Sequence, residues 1–483
     1  MLIEIKVTIG VFLTNFIIGG IEKSYSLLFN EILLYFKTNF KMVSFVFGLN
    51  SALRLILGPL CIMLVVKFNC RKIAVIGSIV SFLGLLVCSF TNNLIIFVIG
   101  YSVINGFGLC LIFIPSMVIL VRHCTENLAV QCGLTSSGIA LGSCTFPYIV
   151  QYLTDIYGLS NCLFLLSAFL LNGIVFASLY NENFPEKRIP CKDFFSDISF
   201  EYLKNSFVSK KMNCNPLISP DSNNKHFRKC HLSPNTIKSY SSSGSSFIID
   251  YEGSYIKVPN DGVDKYYTYM KKNMLYAFRN KFISIFLFSQ ITMGIGNGFW
   301  TTYIVDFARV IGVSENKAAF LFATEGVSQL SSKLIFGLIF NRSKVGNRRI
   351  LLFSSAVALT SLSSLCVNLL NLCETTYASF FILMVLSFSR GSGSGVIFSQ
   401  TNVVMSDICN LDNLPDIIGY LSFAKGVGFI ISSFTNGAIL DKFGSYLLVY
   451  TFMGGMQLIS SCFLFYIAFS SFSKEDLNKS FYK

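Results

Sequence analysis

Charged residues are scarce in this sequence of 483 residues, of which Asp, Glu, Lys and Arg together make up 13%. A soluble domain contains about 25% of them. Hydrophobic residues make up 53% and fall into runs too long for a soluble core, which excludes a soluble globular protein. The formal net charge of +13 does not indicate nucleic-acid binding, because the charge is interleaved with those runs. We therefore expect no nucleic-acid partner.

Signatures of enzymes and metal sites are also missing. The sequence contains no GxSxG, no HExxH and no CxxC pair, and its three histidines lie outside the apolar runs. Most of the 15 cysteines lie inside those runs, where a free cysteine behaves as a small hydrophobic residue. We expect no enzymatic activity, no cofactor and no metal site.

Long apolar runs are what the sequence does contain. A helix needs about 20 apolar residues to cross the hydrocarbon core of a bilayer. Twelve runs come close to this length, and the first is not followed by the small-residue cleavage site of a signal peptide. We number these runs spans 1 to 12, at 7–29, 42–66, 72–90, 94–120, 130–152, 160–180, 281–305, 318–340, 349–371, 376–404, 416–440 and 446–470.

The last six spans repeat the first six. At shifts of 286 and 285 residues, glycines and an aspartate of the first half fall on identical residues of the second. The matched pairs are Gly133 and Gly419, Gly142 and Gly428, Asp155 and Asp441, Gly158 and Gly444, Gly106 and Gly391, and Gly108 and Gly393. Small residues let membrane helices approach closely, so we interpret these glycines, with GSGSG at 391–395, as packing positions and not as a phosphate-binding loop.

Six spans used twice with a long polar linker resemble the plan of major facilitator transporters, whose halves rock around a site near the middle of the bilayer. We predict an all-α integral membrane protein of twelve transmembrane helices, with a major facilitator fold of two six-helix halves. The halves are expected at 1–181 and 279–471, joined by a cytoplasmic loop at 182–278 and followed by a cytoplasmic tail at 472–483. The loop is rich in Ser, Asn and Lys and lacks apolar periodicity, which predicts that it is largely disordered.

Five segments resemble the monocarboxylate transporter family in order and spacing. They are KSYSLLFNEILLYF at 23–36, GPLCIMLVVKFNCRKIAVIG at 58–77, INGFGLCLIFIPSMVIL at 104–120, GIALGSCTFPYIVQYLTDIYG at 138–158 and GYLSFAKGVGFIISSFTNGAILDKFG at 419–444. The resemblance covers nearly all of the membrane part and none of the central loop. It implies that Lys23 attracts the carboxylate of a substrate.

The sequence also departs from the family pattern. It begins MLIEIKVTIGVFL without the acidic-glycine-tryptophan signature of span 1, and only Arg122 is left of the basic cluster after span 4. Proton-coupled members carry an aspartate and, four residues later, an arginine in span 8, where this chain has Gln329 and Lys333. The cation is kept and the carboxylate is lost, which argues against proton coupling unless Glu325 replaces that carboxylate.

Charges inside a bilayer are costly unless they are paired or hydrated, so they usually face a cavity. Those expected to be buried here are Glu22, Lys23, Arg54, Glu325, Lys333, Arg390 and Lys425. Five cations against two anions favour an anionic solute. Glu325 and Lys333 share one helical face with Gln329, at i, i+4 and i+8. The predicted substrate-binding residues are Lys23, Arg54, Glu325, Gln329, Lys333 and Arg390.

Structural roles for the same charges stay open. Lys23 could extend to the outer headgroups or pair with Glu22, and Arg54 and Arg390 could pair structurally instead of lining a path. Our functional prediction is a secondary transporter that moves a small organic anion by alternating access. The expected partners are this small-molecule substrate and membrane lipid, and an ancillary membrane subunit is left open. Two alternatives remain: a related porter for another solute, such as an amino acid or an aromatic compound, and a non-transporting membrane sensor or scaffold.

The orientation follows from the basic residues of the loops, which mark the cytoplasmic side. With the N-terminus inside, the inner short loops and the C-terminal tail hold eleven basic residues and the outer loops five. The inner loop at 405–415 is an exception to this bias, because it contains acidic residues and no basic residue. We predict an integral multi-pass protein of the plasma membrane with both termini in the cytoplasm.

Protease protection tests this orientation. Tags at Met1, near Ser243 and at Lys483 should resist an impermeant protease in intact cells, because all three positions are predicted to be cytoplasmic. A tag at Gly312, between spans 7 and 8, should be cleaved and serves as the control. Cleavage near Ser243 from outside would contradict the orientation and the division into two halves of six.

Overall fold

Helices occupy every one of the twelve predicted spans. In the N-terminal half, span 1 is formed by Leu2–Lys23 and Tyr25–Phe36, span 2 by Phe40–Ile56 and Gly58–Phe68, and span 3 by Cys70–Phe90. Span 4 runs through Leu94–Val98, a π-helical turn at Ile99–Ile104 and Asn105–His123. Spans 5 and 6 lie in Leu128–Ser178, which breaks at Gly158.

The C-terminal half follows the same order. Span 7 is formed by Lys281–Asn297 and Trp300–Val310, span 8 by Glu315–Phe340, and span 9 by Arg349–Leu365 with a 3-10 turn at Cys366–Leu372. Span 10 is Thr376–Ile408, span 11 is Leu414–Phe443 and span 12 is Tyr446–Phe481.

The computed structural model describes residues 2–38, 40–124, 127–181, 240–242, 245–249, 255–257, 280–298, 300–313, 315–342, 348–372, 375–409 and 414–481. It divides into a membrane unit, Met1–Phe184 with Ala277–Lys483, and a second unit, Pro185–Tyr276. Described residues of the second unit form a three-stranded antiparallel sheet in the order β1-β2-β3, with Tyr240–Ser242, Ser245–Ile249 and Tyr255–Lys257 as its strands. The prediction that 182–278 is largely disordered falls mostly on residues outside the described part.

Length and hydropathy alone identify fewer spans than the fold contains. Eight helices of the described part are long and apolar enough to cross a membrane, and a ninth is counted if the bent pair Phe45–Ile56 and Gly58–Phe68 forms one span. Leu128–Ser178 is one of the eight although it contains spans 5 and 6. The first helix of span 7 has only 17 residues, and the polar face of span 8 lowers its hydropathy. The predicted all-α membrane fold of two six-helix halves is confirmed.

The repeated glycines have matching structural roles in the two halves. Gly158 and Gly444 end spans 5 and 11 with φ of 74° and 60°, a left-handed conformation that favours glycine. Gly142 lies so close to span 1 that a Cβ there would overlap the carbonyl oxygen of Phe16. Its repeat partner Gly428 has the same relation to the carbonyl oxygen of Ile291 in span 7. The glycines therefore bring span 5 onto span 1 and span 11 onto span 7.

The glycines of the GSGSG segment also pack against neighbouring helices. They lie inside span 10, where a Cβ at Gly391 or Gly395 would meet backbone oxygens of Glu325 and Gln329 in span 8. A Cβ at Gly393 would meet span 9. The segment is therefore a packing surface of span 10, as the sequence predicts.

The buried apolar core joins the halves at one end only. One cluster contains residues of both halves, with Val7, Val121 and Leu128 from the first and Phe340 and Leu414 from the second. These positions lie at the end of the bundle that carries both chain termini. At the opposite end, the buried residues form two clusters, and each belongs to one half. The halves are therefore packed together at the terminus-bearing end and have separate cores at the other.

Substitution of the repeated packing glycines should destabilise the fold. Gly142→Val and Gly428→Val should each lower the apparent melting temperature of the purified protein by several degrees, because overpacking a tight helix contact costs about 1–3 kcal/mol. Gly437→Ala is the control, since a Cβ at Gly437 meets nothing within 4 Å. Native melting temperatures for both valine variants would contradict the close packing.

Candidate functional site

A cavity of about 240 Å³ lies between the two halves. Spans 1, 2, 4 and 5 supply its lining from the first half, and spans 7, 8, 10 and 11 supply it from the second. The described lining includes no residue of spans 3, 6, 9 or 12. The same four positions of the repeat therefore face the cavity in each half.

The lining combines aromatic side chains with charge. It contains four cations and two carboxylates: Arg54, Lys333, Arg390 and Lys425, with Glu22 and Glu325. Five of the six residues predicted from the sequence lie in it, namely Arg54, Glu325, Gln329, Lys333 and Arg390. The sixth, Lys23, is the last residue of Leu2–Lys23, and its side chain lies outside the described part.

Arg54 in span 2 pairs with Glu22 in span 1. The guanidinium Nη2 lies 2.8 Å from Oε1 of the carboxylate, and the side chains are 10% and 23% exposed. The guanidinium also lies 5.2 Å from the centre of the Phe113 ring in span 4. The structure pairs Glu22 with Arg54, and the possible pairing of Glu22 with Lys23 involves a side chain outside the described part. This pair reduces the cost of placing a cation in the cavity wall.

The polar residues of span 8 form a short hydrogen-bond chain. Lys333 is 1% exposed, and its Nζ donates to Oε1 of Gln329 and to the carbonyl oxygen of Ser136, both at 3.1 Å. Gln329 in turn donates from Nε2 to the hydroxyl of Ser394 in span 10 at 3.1 Å. Since Ser136 belongs to span 5, Lys333 connects the two halves across the cavity floor. Glu325, on the same helix, lines the cavity together with Arg390.

Arg390 is fully engaged by the C-terminal half. Five acceptors lie 2.8–3.3 Å from its terminal nitrogens and share their four N–H groups: the carbonyl oxygens of Thr360 and Gly296, the hydroxyl of Ser364, and the side-chain oxygens of Gln457 and Asn297. The guanidinium also lies 4.4 Å from the centre of the Trp300 ring. These acceptors belong to spans 7, 9 and 12, so Arg390 holds four helices together. Its contacts with the protein favour the structural role over a role in the path.

Among the described residues, Lys425 in span 11 has fewer partners than the other cavity cations. Its Nζ donates to the hydroxyl of Thr401 at 3.3 Å, and no carboxylate of the described residues forms an ion pair with it. From the sequence, Lys425 is expected to be a buried charge but is not among the predicted substrate-binding residues. The sequence repeat is the signal that relates Lys425 to a second cavity residue, because the shift of 286 residues places Lys425 on Ile139 of span 5. Both residues line the cavity.

Aromatic residues are the other part of the site that the sequence interpretation missed. Eight of them line the cavity: Phe29, Phe47, Phe113, Trp300, Tyr303, Phe322, Phe398 and Phe429. In a chain with 49 phenylalanines, composition alone cannot distinguish these from lipid-facing rings. They give the cavity an apolar wall against which a hydrocarbon or an aromatic ring can pack.

The cavity is closed towards the terminus-bearing end by contacts between the halves. Asn341 donates to the side-chain oxygen of Asn127 at 2.9 Å, and Gln400 donates to the carbonyl oxygen of Ala129 at 3.3 Å. A Cβ at Gly133 would meet the carbonyl oxygen of Lys333, so spans 5 and 8 touch there through their backbones. At the opposite end, spans 2 and 11 approach through aromatic side chains.

Comparison with known proteins identifies the family to which this chain belongs. The family model described as Major Facilitator Superfamily matches residues 11–202 and 283–480. Monocarboxylate transporter 12 of Rattus norvegicus is 21% identical over 455 residues, covering 94% of this chain and 83% of that protein. Monocarboxylate transporter 4 of Rattus norvegicus is 23% identical over 453 residues, covering 93% of this chain and 80% of that protein. The resemblance identified from the sequence is therefore confirmed.

Two solved structures share the fold. The proton:xylose symporter XylE bound to 6-bromo-6-deoxy-D-glucose superposes with a TM-score of 0.65 at 12% identity, covering 96% of this chain and 95% of that one. The human organic anion transporter MFSD10 (TETRAN) gives a TM-score of 0.57 at 11% identity, covering 96% and 98%. At these identities the likeness concerns the fold alone.

Arg390→Lys tests the structural role of this arginine. Lysine keeps the charge but loses the planar fork, so several buried acceptors lose their donor, and each unsatisfied group costs about 1–3 kcal/mol. The apparent melting temperature should fall clearly, whereas the exposed control Arg348→Lys should leave it unchanged. Equal melting temperatures for native protein and Arg390→Lys would show that the network contributes little.

Proposed function

The chain belongs to the Major Facilitator Superfamily and is a secondary transporter, and we propose that its substrate is a small organic anion. The observation that carries this proposal is the charge of the cavity, which contains four cations and two carboxylates. A cleft with a cationic surplus and low-dielectric walls concentrates anions. The names of the two relatives, monocarboxylate transporters 12 and 4, agree with this class of solute.

Alternating access gives each contact between the halves a role. The halves are held together at the terminus-bearing end, where Lys333 reaches the carbonyl oxygen of Ser136. Rocking of one half against the other would separate these groups, whereas at the opposite end the halves meet through the rings of Phe45 and Phe434, whose centres are 6.0 Å apart. In alternating access, the contacts at each end open in turn.

Some cavity residues set the electrostatic potential of the cavity, and others stabilise those charged residues. The pair of Arg54 with Glu22 and the chain from Lys333 through Gln329 keep positive groups at the wall while limiting the cost of burial. Lys23 adds a further cation if it faces the outer part of the path, as the family resemblance implies. Gln329 cannot carry a proton, so Glu325 is the one ionisable acid on the polar face of span 8.

A neutral aromatic solute is a second candidate. The observation that favours it is the eight aromatic side chains of the cavity lining, because aromatic rings pack well against each other. An aromatic carboxylate satisfies both features, with the charge at the cations and the ring at the apolar wall. A panel that contains both charged and neutral solutes therefore separates the candidates.

Uptake into proteoliposomes tests the function. Native protein should take up lactate, pyruvate or benzoate saturably without ATP, and an imposed inward proton gradient should change the accumulation little, because span 8 lacks the carboxylate of the proton-coupled pattern. Lys333→Ala should reduce uptake strongly, and Glu325→Gln should leave the response to the gradient unchanged. Radiolabelled amino acids and benzamide complete the panel.

Two controls make the outcome decisive. Empty liposomes measure diffusion of the protonated acids, and Lys317→Ala, on the same helix but outside the cavity lining, measures the effect of removing a lysine as such. Saturable uptake of benzamide or amino acids with no uptake of any carboxylate would overturn the organic-anion proposal. Strong gradient-driven accumulation that Glu325→Gln abolishes would overturn weak proton coupling and identify Glu325 as the proton carrier.

A further inference from the structure

We propose that Lys425 binds the carboxylate of the transported anion. This inference rests on the proposed function above and names the group within the cavity that recognises the substrate's charge. A substrate carboxylate accepts hydrogen bonds, so it needs donors that the protein does not already use. The four cavity cations differ in this respect.

Three of the cations are engaged by the protein itself. Arg54 has its carboxylate partner in Glu22, 2.8 Å away. Lys333 donates to two oxygens at 3.1 Å and is 1% exposed. Arg390 has five acceptors from three other helices and is 2% exposed. The carboxylate of Glu22 already neutralises Arg54, and a substrate that bound to Lys333 or Arg390 would have to displace contacts that hold helices together.

Lys425 has donor capacity in reserve. An ammonium group has three N–H donors, and the hydroxyl of Thr401 accepts one of them at 3.3 Å. That hydroxyl donates its own proton to the carbonyl oxygen of Ile397 at 2.5 Å, so a lone pair faces the lysine. Thr401 therefore orients the ammonium without neutralising it. The remaining donors are available to an anion in the cavity.

The position of Lys425 in the bundle suits a substrate site. It is the twelfth residue of Leu414–Phe443, about 17 Å from one end of a helix about 45 Å long, and so lies well inside the bilayer. Its backbone is held on both sides. Its carbonyl oxygen packs against Gly294 of span 7, and the neighbouring Gly426 packs against Ile56 of span 2. The ammonium is therefore presented from a rigid support at the seam between the halves.

The surroundings of Lys425 indicate what the rest of the ligand is like. Leu421 and Phe429 stand one helical turn before and after it, and both line the cavity with it. Ser422, three residues before Lys425, adds a hydroxyl to the same lining. A monocarboxylate with an apolar or aromatic body matches this arrangement, because the anionic head meets the ammonium and the body meets Leu421 and Phe429.

Binding at Lys425 also explains why the substrate would promote closure. An ammonium that loses its water when the cavity closes is costly unless an anion accompanies it. Without substrate, closure would bury Lys425 with the hydroxyl of Thr401 as its one hydrogen-bond partner in the described part of the chain. With the carboxylate bound, the pair enters the closed state neutralised. The unneutralised charge of Lys425 therefore opposes closure of the empty transporter.

Competition between an acid and its amide tests the proposal. In proteoliposomes, benzamide and benzoate each compete with a labelled substrate from the uptake panel. The half-inhibitory concentration of benzamide divided by that of benzoate measures how strongly the site recognises the charge. Lys425→Gln should reduce this ratio by about 10-fold or more, since a hydrogen bond to a charged group is lost. Lys425→Arg should keep most of it. Lys442→Gln, on the same helix but exposed at its end, should leave it unchanged.

A second variant keeps the test valid if Lys425→Gln does not fold. Thr401→Val removes the acceptor that orients the ammonium while keeping the lysine and the side-chain volume, so it should lower the ratio by about 2- to 5-fold at native abundance in the membrane. An unchanged ratio in Lys425→Gln overturns the role of Lys425. If Lys425→Gln does not fold, an unchanged ratio in Thr401→Val does the same. Either result leaves the organic-anion function intact. Absence of carboxylate uptake by native protein instead overturns the proposed function itself.

Discussion

Each cation that this protein places inside the bilayer must be paired, hydrated or offered to a ligand, and the cavity between the halves meets that constraint in different ways. Arg54 is paired with a carboxylate, 2.8 Å away. Arg390 is surrounded by five oxygen acceptors and a tryptophan ring, and Lys333 is shared between the halves. Lys425 has one hydroxyl and retains its charge for a solute. The cost of burying charge thus separates structural cations from a candidate binding group.

Close helix packing makes this distribution of charge possible. Gly142 and Gly428 allow spans 5 and 11 to lie directly on spans 1 and 7, which places the polar faces of neighbouring helices on one cavity. Glycines of span 10 do the same against span 8, where Gln329 and Lys333 reach their partners. A bulky residue at any of these positions would separate the helices and break hydrogen bonds that the buried charges require.

Much of the fold could be predicted from the sequence, because membrane helices are specified by length and hydropathy and the repeat by near-constant spacing. The left-handed Gly158 and Gly444 and the packing of Gly142 and Gly428 follow directly from that repeat. The sequence also identified five residues that line the cavity, among them Arg54 and Lys333. It could not assign their partners, because the contacts of Arg54 with Glu22 and of Lys333 with Ser136 join different helices and depend on tertiary geometry.

The fluorescence of Trp300 provides the most direct test of anion binding in this cavity. Trp300 is the only tryptophan of the chain, lines the cavity and lies 4.4 Å from Arg390, so its emission reports on the site without any substitution. Titration with the best transported carboxylate should change this emission saturably, with a half-point close to that of uptake, and the uncharged amide should bind far more weakly. An emission that does not change with the transported carboxylate, or that responds equally to acid and amide, would contradict a cationic binding cavity between the halves.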